Sequence, residues 1–157
     1  IAQPRAGRTG KAAAMITYAA SSVLLAWFPP DDEFAGAVTP WVREHVTDFI
    51  WNPILRAEVR HNLRKMRSPY ARTAWNAYRA AESNHRLTLG RERLADLLAQ
   101  TDELSAEQAT SVPAGTWDFF HVAAALHARV ACFATCDKLQ AELATESGLP
   151  KVKLFKA

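Results

Sequence analysis

The sequence has little cysteine, no apolar run of membrane-spanning length and no recognisable secretion signal. Cys132 and Cys136 are its only cysteines; they lack CxxC spacing, and no second pair is present to complete a zinc site. The longest apolar runs, residues 23–30 and 122–126, fall far short of the roughly 18 to 20 apolar residues that span a bilayer. We therefore expect two free thiols, no membrane span and a cytoplasmic location.

An excess of one charge is also missing once the first residues are set aside. The chain has a formal net charge of +3, but residues 1–14 contribute Arg5, Arg8 and Lys11 and no acid, which leaves sixteen basic residues against sixteen acidic ones. Bulk charge is therefore weak evidence for a nucleic-acid partner. Because residues 1–14 also lack apolar periodicity, we expect a tail or vector-derived segment there, followed by a single domain over residues 15–157.

Short β-branched or apolar segments alternate with longer helical patterns along the chain. Strands are predicted at residues 16–20, 48–51, 131–135 and 152–155. A first helix is predicted at residues 23–28, and a second begins at the acidic residues 31–33. Further helices are predicted at residues 54–66, 70–84, 91–100, 105–111, 117–128 and 138–147. Parallel strands joined through helices require right-handed crossovers, so this pattern predicts an α/β fold with a short, mainly parallel sheet flanked by helices.

Three acidic side chains follow or adjoin the predicted strands: Glu58, Asp118 and Asp137. In open α/β sheets, ligands bind outside the carboxyl ends of the strands. Carboxylates are hard oxygen ligands that suit Mg²⁺ or Mn²⁺, and such a metal can activate water and neutralise charge on a phosphate. The three acids are therefore candidates for a metal site that hydrolyses a phosphodiester.

Each of these acids also has an ordinary structural interpretation. Asp118 can face the dipole of its helix from the first turn, and Asp137 can cap the helix that follows it. Glu58 can pair with a neighbour on a solvated helix face: Arg56, Arg60 or Asn62. Taken singly, the acids do not decide between structural and catalytic roles.

Two segments resemble the PIN domains of VapC-type toxins. From Asp118-Phe-Phe-His121, through Thr135-Cys-Asp137, to Gly148-Leu149, the chain is similar to the family pattern of Asp-x-x-His, an apolar strand, Thr-x-Asp and a helix ending at Gly-Leu. Upstream, Asn52-Pro53-Ile54-Leu55-Arg56-Ala57-Glu58 is similar to the family's strand that leads into a glutamate-bearing helix. The resemblance covers nearly all of residues 15–155 and implies a PIN-like three-layer α/β/α fold.

One position departs from the family pattern. The family has an aspartate followed by Ser or Thr and then Ser at the start of the first helix, whereas this chain has Ala20-Ser21-Ser22. Ala20 therefore stands where the resemblance implies the most direct metal ligand. Two explanations compete: a natural degenerate copy, and an engineered Asp-to-Ala change that silences a nuclease toxic to its host.

The resemblance implies a site, an activity and partners. Glu58, Asp118 and Asp137 would hold Mg²⁺ or Mn²⁺, with the hydroxyls of Ser22 and Thr135 as orienting groups. The implied activity is endonucleolytic hydrolysis of RNA by a toxin of a toxin–antitoxin system, which a VapB-like antitoxin holds in check and which forms a homodimer. Because position 20 lacks a carboxylate, we expect this chain to bind metal poorly and to cleave slowly or not at all. The alternatives are a catalytically dead PIN domain that binds RNA or protein, and a PIN nuclease outside any toxin system.

Basic residues surround Glu58 on its predicted helix, among them Arg56, Arg60 and Arg64. Such residues can neutralise a nucleic-acid backbone without reading its bases. They can equally receive a partner protein or remain a plain solvated face. The sequence leaves these three roles open.

His121 and the tryptophans are expected to pack rather than to take part in chemistry. His121 lies one helical turn after Asp118, and we expect it to pack with a hydrogen bond rather than to transfer protons. Core or interface packing is expected of all five tryptophans, rather than stacking on bases: Trp27, Trp41, Trp51, Trp75 and Trp117.

Overall fold

The computed structural model describes residues 15–45 and 48–157, so the tail expected at residues 1–14 lies outside the described part of the chain. Within that part, five short strands alternate with seven helices. The elements in chain order are β1 (Ile16–Ala19), α1 (Ser21–Trp27), α2 (Ala35–His45), β2 (Asp48–Trp51), α3 (Pro53–Lys65), α4 (Ala71–Ser83), β3 (Leu87–Leu89), α5 (Leu94–Gln108), α6 (Thr116–His127), β4 (Cys132–Thr135), α7 (Lys138–Glu146) and β5 (Val152–Leu154). None of these helices is long and apolar enough to cross a membrane.

The strands form one parallel sheet in the order β3-β2-β1-β4-β5. Right-handed crossovers place α1 to α4 on one face and α5 to α7 on the other, in agreement with the contacts of α1 with α2 and α3, and of α6 with α5 and α7. The result is the predicted three-layer α/β/α architecture. Because the strands are parallel, the segments after β1, β2 and β4 meet at one edge of the sheet, and these segments contain Ala20, Asn52 and Asp137.

The core lies on both faces of the central strands. All four residues of β4 are buried, and the ring of Phe133 stacks on Tyr18 of β1 with centroids 5.8 Å apart and planes 7° from parallel. Helix α6 is buried continuously from Phe119 to Ala125, which explains its nearly uninterrupted apolar sequence. Burial on both faces of the sheet is what a parallel sheet requires.

Local signals set the ends of the helices nearest the sheet edge. Asn52 caps α3 by accepting a hydrogen bond from the Leu55 N–H at 2.9 Å, and Pro53 occupies the first helical position, where no donor is needed. Asp137 caps α7 in the same way, through the Gln140 N–H at 2.9 Å. Gly148 ends the segment with φ of 83°, a conformation that suits glycine.

Two expectations about the elements were wrong. Strand β3 was not predicted; it is an edge strand in which only Leu87 is buried, and its three residues are too few for a pattern to indicate a strand. The helices expected at residues 91–100 and 105–111 are one helix, α5. Its buried residues Leu97, Thr101 and Leu104 continue one face across the supposed break, because the Thr101 hydroxyl bonds the Leu97 carbonyl within the helix.

Candidate active site

Ala20 lies at the end of the central strand, where β1 turns into α1. Its backbone is extended, with φ of −61° and ψ of 161°, and its N–H donates to the Ala134 carbonyl of β4 at 2.9 Å. The residue is 2% exposed and occupies the N-cap position of α1, where Ser, Thr, Asp or Asn is favoured because the side chain can accept a hydrogen bond. A methyl group therefore stands at a position that suits a carboxylate.

Glu58 is held at both carboxylate oxygens by other elements. Its Oε1 accepts from the Ser21 hydroxyl at 2.9 Å, and its Oε2 lies 3.1 Å from Nε2 of His121 on α6. Burial by itself raises the pKa of the Glu58 carboxyl, but the hydrogen bonds from His121 and Ser21 outweigh it, so the pKa lies below its ordinary value. Glu58 is therefore kept ionised and aimed at the start of α1.

His121 is buried and connects Glu58 to the sheet. Its Nδ1 lies 2.8 Å from the Tyr18 hydroxyl, whose oxygen also accepts from Nδ2 of Asn52 at 2.9 Å. One proton arrangement satisfies every group: the Tyr18 hydroxyl donates to Nδ1, and Nε2–H donates to Glu58. Burial raises the pKa of Tyr18 well above its ordinary value, so the phenol keeps its proton. The expected packing of His121 with a hydrogen bond is confirmed.

Asp118 and Asp137 are joined through Gln140, a buried residue of α7. Nε2 of Gln140 donates to Asp118 at 2.9 Å, while its Oε1 accepts from the Thr135 hydroxyl at 2.7 Å. Thr135 in turn accepts from the Asp137 N–H at 3.0 Å. The second oxygen of Asp118 accepts from the N–H of Gly115 at 2.9 Å, one turn before it. Both acids thus keep the helix-terminus roles that their positions indicated.

Ser22 ties α1 to the segment between β4 and α7. Its hydroxyl accepts from the Cys136 N–H at 3.2 Å, so Ser22 and Thr135 both hold the backbone around Asp137.

Cys132 and Cys136 are free thiols, as expected. Burial raises the pKa of Cys136 to about 11, which keeps the thiol protonated and unreactive near neutral pH.

Asp118 and Asp137 are connected through Gln140 and Thr135, but the three acids do not form a ready metal cluster. In the described ranges, no group of three or more His, Cys, Asp or Glu side chains is placed to hold a metal ion. The oxygens of Glu58 and Asp118 are engaged by protein donors, and position 20 supplies no ligand. The residues present in this arrangement therefore do not fit a divalent cation, although carboxylates are the right ligand type.

The expected basic face of α3 divides into two parts. Arg56 is paired with Glu82 of α4 at 2.6 Å, so its charge is balanced within the protein rather than by Glu58. Arg60 and Arg64 stand over the ring of Trp75, with guanidinium carbons 6.0 and 5.2 Å from its centroid. The three arginines line a cleft of about 470 Å³ together with Pro53, Ala57 and Leu89.

Several residues that organise this site were not predicted to belong to it. Tyr18 was expected only to lie on a strand, Asn52 only to precede a helix, and Gln140 only to lie on a helix. Trp117 is 57% exposed and meets the Phe120 ring edge to face, so it lies outside the core, and interface packing remains an expectation for it. The signal available in the sequence was position: Tyr18 lies two residues before Ala20, on the strand that leads to it.

Comparisons with known proteins identify the fold and the family. A family model described as the PIN domain matches residues 20–146. The crystal structure of VapC20 from Mycobacterium tuberculosis, described as a sarcin-ricin loop cleaving toxin, is similar with a TM-score of 0.64 and 15% identity, over 89% of this chain and 99% of that one. FitAcB from Neisseria gonorrhoeae has a TM-score of 0.57 and 17% identity, over 89% of this chain and 96% of that one. A comparison with curated protein sequences finds no match. The two structures share the fold, and the family model matches most of the sequence, so the chain belongs to the PIN domain family.

Proposed function

We propose that this chain is a ribonuclease of the VapC toxin type whose activity is impaired by alanine at position 20. The observation that carries the proposal is the placement of Ala20, buried at the end of the central strand, between Ser21 bonded to Glu58 and the β4 segment that leads to Asp137. In parallel sheets this edge is where ligands bind. Family membership supplies the nuclease class, and the description of VapC20 as cleaving an RNA loop supports RNA as the substrate.

An aspartate at position 20 would complete the acidic set of Glu58, Asp118 and Asp137. The ion proposed for that set is Mg²⁺ or Mn²⁺, which supplies charge neutralisation and an activated water when bound. The chain's own part is to hold acceptors in place: Ser21 and His121 orient Glu58, and Gln140 orients Asp118. Ser22 and Thr135 fix the backbone that carries Asp137.

The arginine cleft on α3 is the proposed contact for the RNA backbone. Arg64 is exposed and Arg60 is partly exposed, and Trp75 orients both guanidinium groups. Arg and Lys bind phosphates without reading sequence, so this contact would contribute affinity rather than specificity. Arg56 would contribute less, because Glu82 already balances its charge.

Restoring the carboxylate tests the proposal. Ala20→Asp should gain RNA cleavage that depends on Mg²⁺ or Mn²⁺ and is lost on chelation, with a rate on the order of a thousandfold above the unchanged chain. Ala20→Asn is the matched control, since it has nearly the same shape without the charge, and it should remain inactive. The restored aspartate would be buried, so Ala20→Asp should also unfold at a lower temperature without metal and recover stability when Mg²⁺ is added.

A second candidate function has its own support. Because protein donors already engage Glu58 and Asp118, the framework of the site holds together without a metal. A PIN domain that binds RNA or protein without cleavage would need no more than this. An Ala20→Asp protein that stays folded, yet neither cleaves RNA nor gains stability from Mg²⁺ or Mn²⁺, would favour that function over the first.

The partners follow from the toxin assignment. We propose a VapB-like antitoxin, a homodimer and a cytoplasmic location. Co-purification with a small neighbouring protein would support the antitoxin, and its absence would favour a PIN nuclease outside any toxin system. The molar mass in solution, measured by light scattering, distinguishes a dimer from a monomer.

A further inference from the structure

A second cleft opens on the other side of α3, directly beside Glu58. It encloses about 400 Å³ and is lined by Ile54, Ala57, Glu58, His61, Asn62 and Trp117. All of these except Trp117 come from α3, and Trp117 reaches across from the first turn of α6. Helix α6 also carries Asp118 and His121, so the cleft is bounded by the two helices that build the candidate active site.

Trp117 is more exposed than the two buried tryptophans of the core. It is 57% exposed, whereas Trp41 is 8% exposed and Trp51 is 2% exposed. Its ring meets Phe120 edge to face, with centroids 5.6 Å apart and planes at 79°. That contact holds the indole in one orientation while leaving much of its apolar surface in solvent. A large, oriented and exposed aromatic ring can serve as a stacking surface for a nucleic-acid base.

We infer that an unstacked base of the RNA strand that the site would cleave stacks on the indole ring of Trp117. The inference rests on the proposed function and adds to it a contact that names single-stranded RNA as the ligand. The base would lie on the indole, with its polar edge toward His61 and Asn62, which supply hydrogen-bonding groups on the α3 wall. The adjoining backbone would then pass Glu58.

The polar groups of His61 and Asn62 and the nearby arginines favour a base over an apolar side chain of a protein. A base brings donors at its edge together with a flat face for Trp117. In addition, Ala57 lines both this cleft and the arginine cleft, so one strand could contact the indole and the cations of Arg60 and Arg64 in succession.

The unchanged Ala20 chain is suited to the test, because impaired cleavage leaves the RNA intact during a binding measurement. Affinity is measured by fluorescence anisotropy with a labelled single-stranded RNA of mixed sequence, for the unchanged chain, Trp117→Ala, Trp117→Phe and Tyr70→Ala. Tyr70 is the matched control, since it is an exposed aromatic residue, at 44%, outside both clefts. Circular dichroism confirms that each variant is folded.

Loss of one base stack should weaken RNA binding by Trp117→Ala about five- to a hundredfold. Trp117→Phe should recover most of the affinity, and Tyr70→Ala should bind like the unchanged chain. Equal affinity of Trp117→Ala and the unchanged chain would overturn the inference, as would an equal loss in Tyr70→Ala or an absence of RNA binding by the unchanged chain. A Trp117→Ala protein that changes its state of association but not its RNA affinity would assign the indole to a protein contact instead.

The failure of this inference is separable from failure of the proposed function. In the Ala20→Asp background, Trp117→Ala should raise KM for RNA more than it lowers kcat. Cleavage with an unchanged KM would contradict base stacking on Trp117 and would still support the ribonuclease function. An inactive Ala20→Asp protein would contradict the proposed ribonuclease function. The binding measurements on the Ala20 chain would still decide whether Trp117 contacts RNA.

Discussion

Glu58 illustrates how single residues maintain this site. Its two oxygens are held from α1 by Ser21 and from α6 by His121, and His121 is itself fixed by Tyr18. The carboxylate therefore links three elements that are far apart in sequence. Its ionised form is the one that the neighbours favour, so the link is sensitive to pH.

The pH dependence of stability should reveal this link. The folded-state pKa of Glu58 lies below the value of 4.5 that applies to an unperturbed group, so its contribution to stability is present above about pH 4.5 and is lost as the pH falls through the folded pKa. Glu58→Gln should therefore be less stable than the unchanged chain at neutral pH, and the difference should narrow on acidification. Because the side chain is 37% exposed, the effect should stay below about 1 kcal/mol.

Thermal unfolding of both proteins across about pH 3 to 8 measures this difference. Glu44→Gln is the control, because Glu44 is exposed and pairs only loosely with Arg43, at 3.8 Å. A stability difference for Glu58→Gln that is constant with pH, or that widens in acid, would contradict the assigned role of the carboxylate.

At this scale the sequence predicted the identity of the acids better than their partners. Asp137 as the cap of α7 could be predicted, because capping depends on residues adjacent in sequence. The partner of Glu58 could not. The candidates Arg56, Arg60 and Asn62 were its neighbours on α3, whereas the actual partners lie on α1 and α6. The side chain of Asn62 bonds the backbone carbonyl of Glu58 instead.

Among the elements, α3 and α7 begin in the same way but in different surroundings. Asn52 and Asp137 each accept a hydrogen bond of 2.9 Å from the N–H three residues later. Asn52 is 4% exposed and also donates to the Tyr18 hydroxyl, while Asp137 is exposed. The side chain that caps α3 is therefore tied into the core, and the side chain that caps α7 is not.

Substitution of the two caps should separate these situations. Asp137→Ala should cost about 1 kcal/mol of unfolding free energy, as is usual for loss of an N-cap. Asn52→Ala should cost about 2 to 3 kcal/mol, since it also leaves the buried Tyr18 oxygen without its donor. Urea unfolding of both variants measures the two values, and equal losses would show that the bond between Asn52 and Tyr18 adds nothing.

The elements themselves could mostly be predicted, with limits that have physical causes. Helices α3, α4 and α6 carry buried residues at helical spacing, so they were found within a residue or two at each end. β3 was missed because pairing with β2, rather than its own pattern, makes it a strand. The division of α5 into two helices came from its polar middle, where Thr101 satisfies its hydroxyl inside the helix.

For the molecule as a whole, stability depends on the junction of β1 with β4. Phe133 is fully buried and stacks on Tyr18, which is itself bonded to His121 and Asn52. The core and the site therefore share the same side chains. Damage to the packing at this junction should disturb the orientation of Glu58 as well as the fold.

Truncation of Phe133 tests this dependence. Phe133→Ala should lower the unfolding free energy by about 3 to 5 kcal/mol, because it removes a large buried ring and leaves a cavity. Leu139→Ala, on the nearby helix α7, is the control; Leu139 is 41% exposed, and the cost should be below about 1 kcal/mol. Chemical unfolding gives both values, and a small loss for Phe133→Ala would indicate that the junction repacks easily.

The strand order has a consequence for how the protein is made. β1 ends at residue 19, but β4, its neighbour on one side, begins only at residue 132. During translation, β1 cannot pair with β4 until residues 132–135 have left the ribosome, because this parallel pairing is nonlocal. Before that point, the nascent chain of the proposed ribonuclease would lack both strand β4 and Asp137. The proposed site could therefore assemble only after residues 132–137 have been synthesised and β4 can pair with β1.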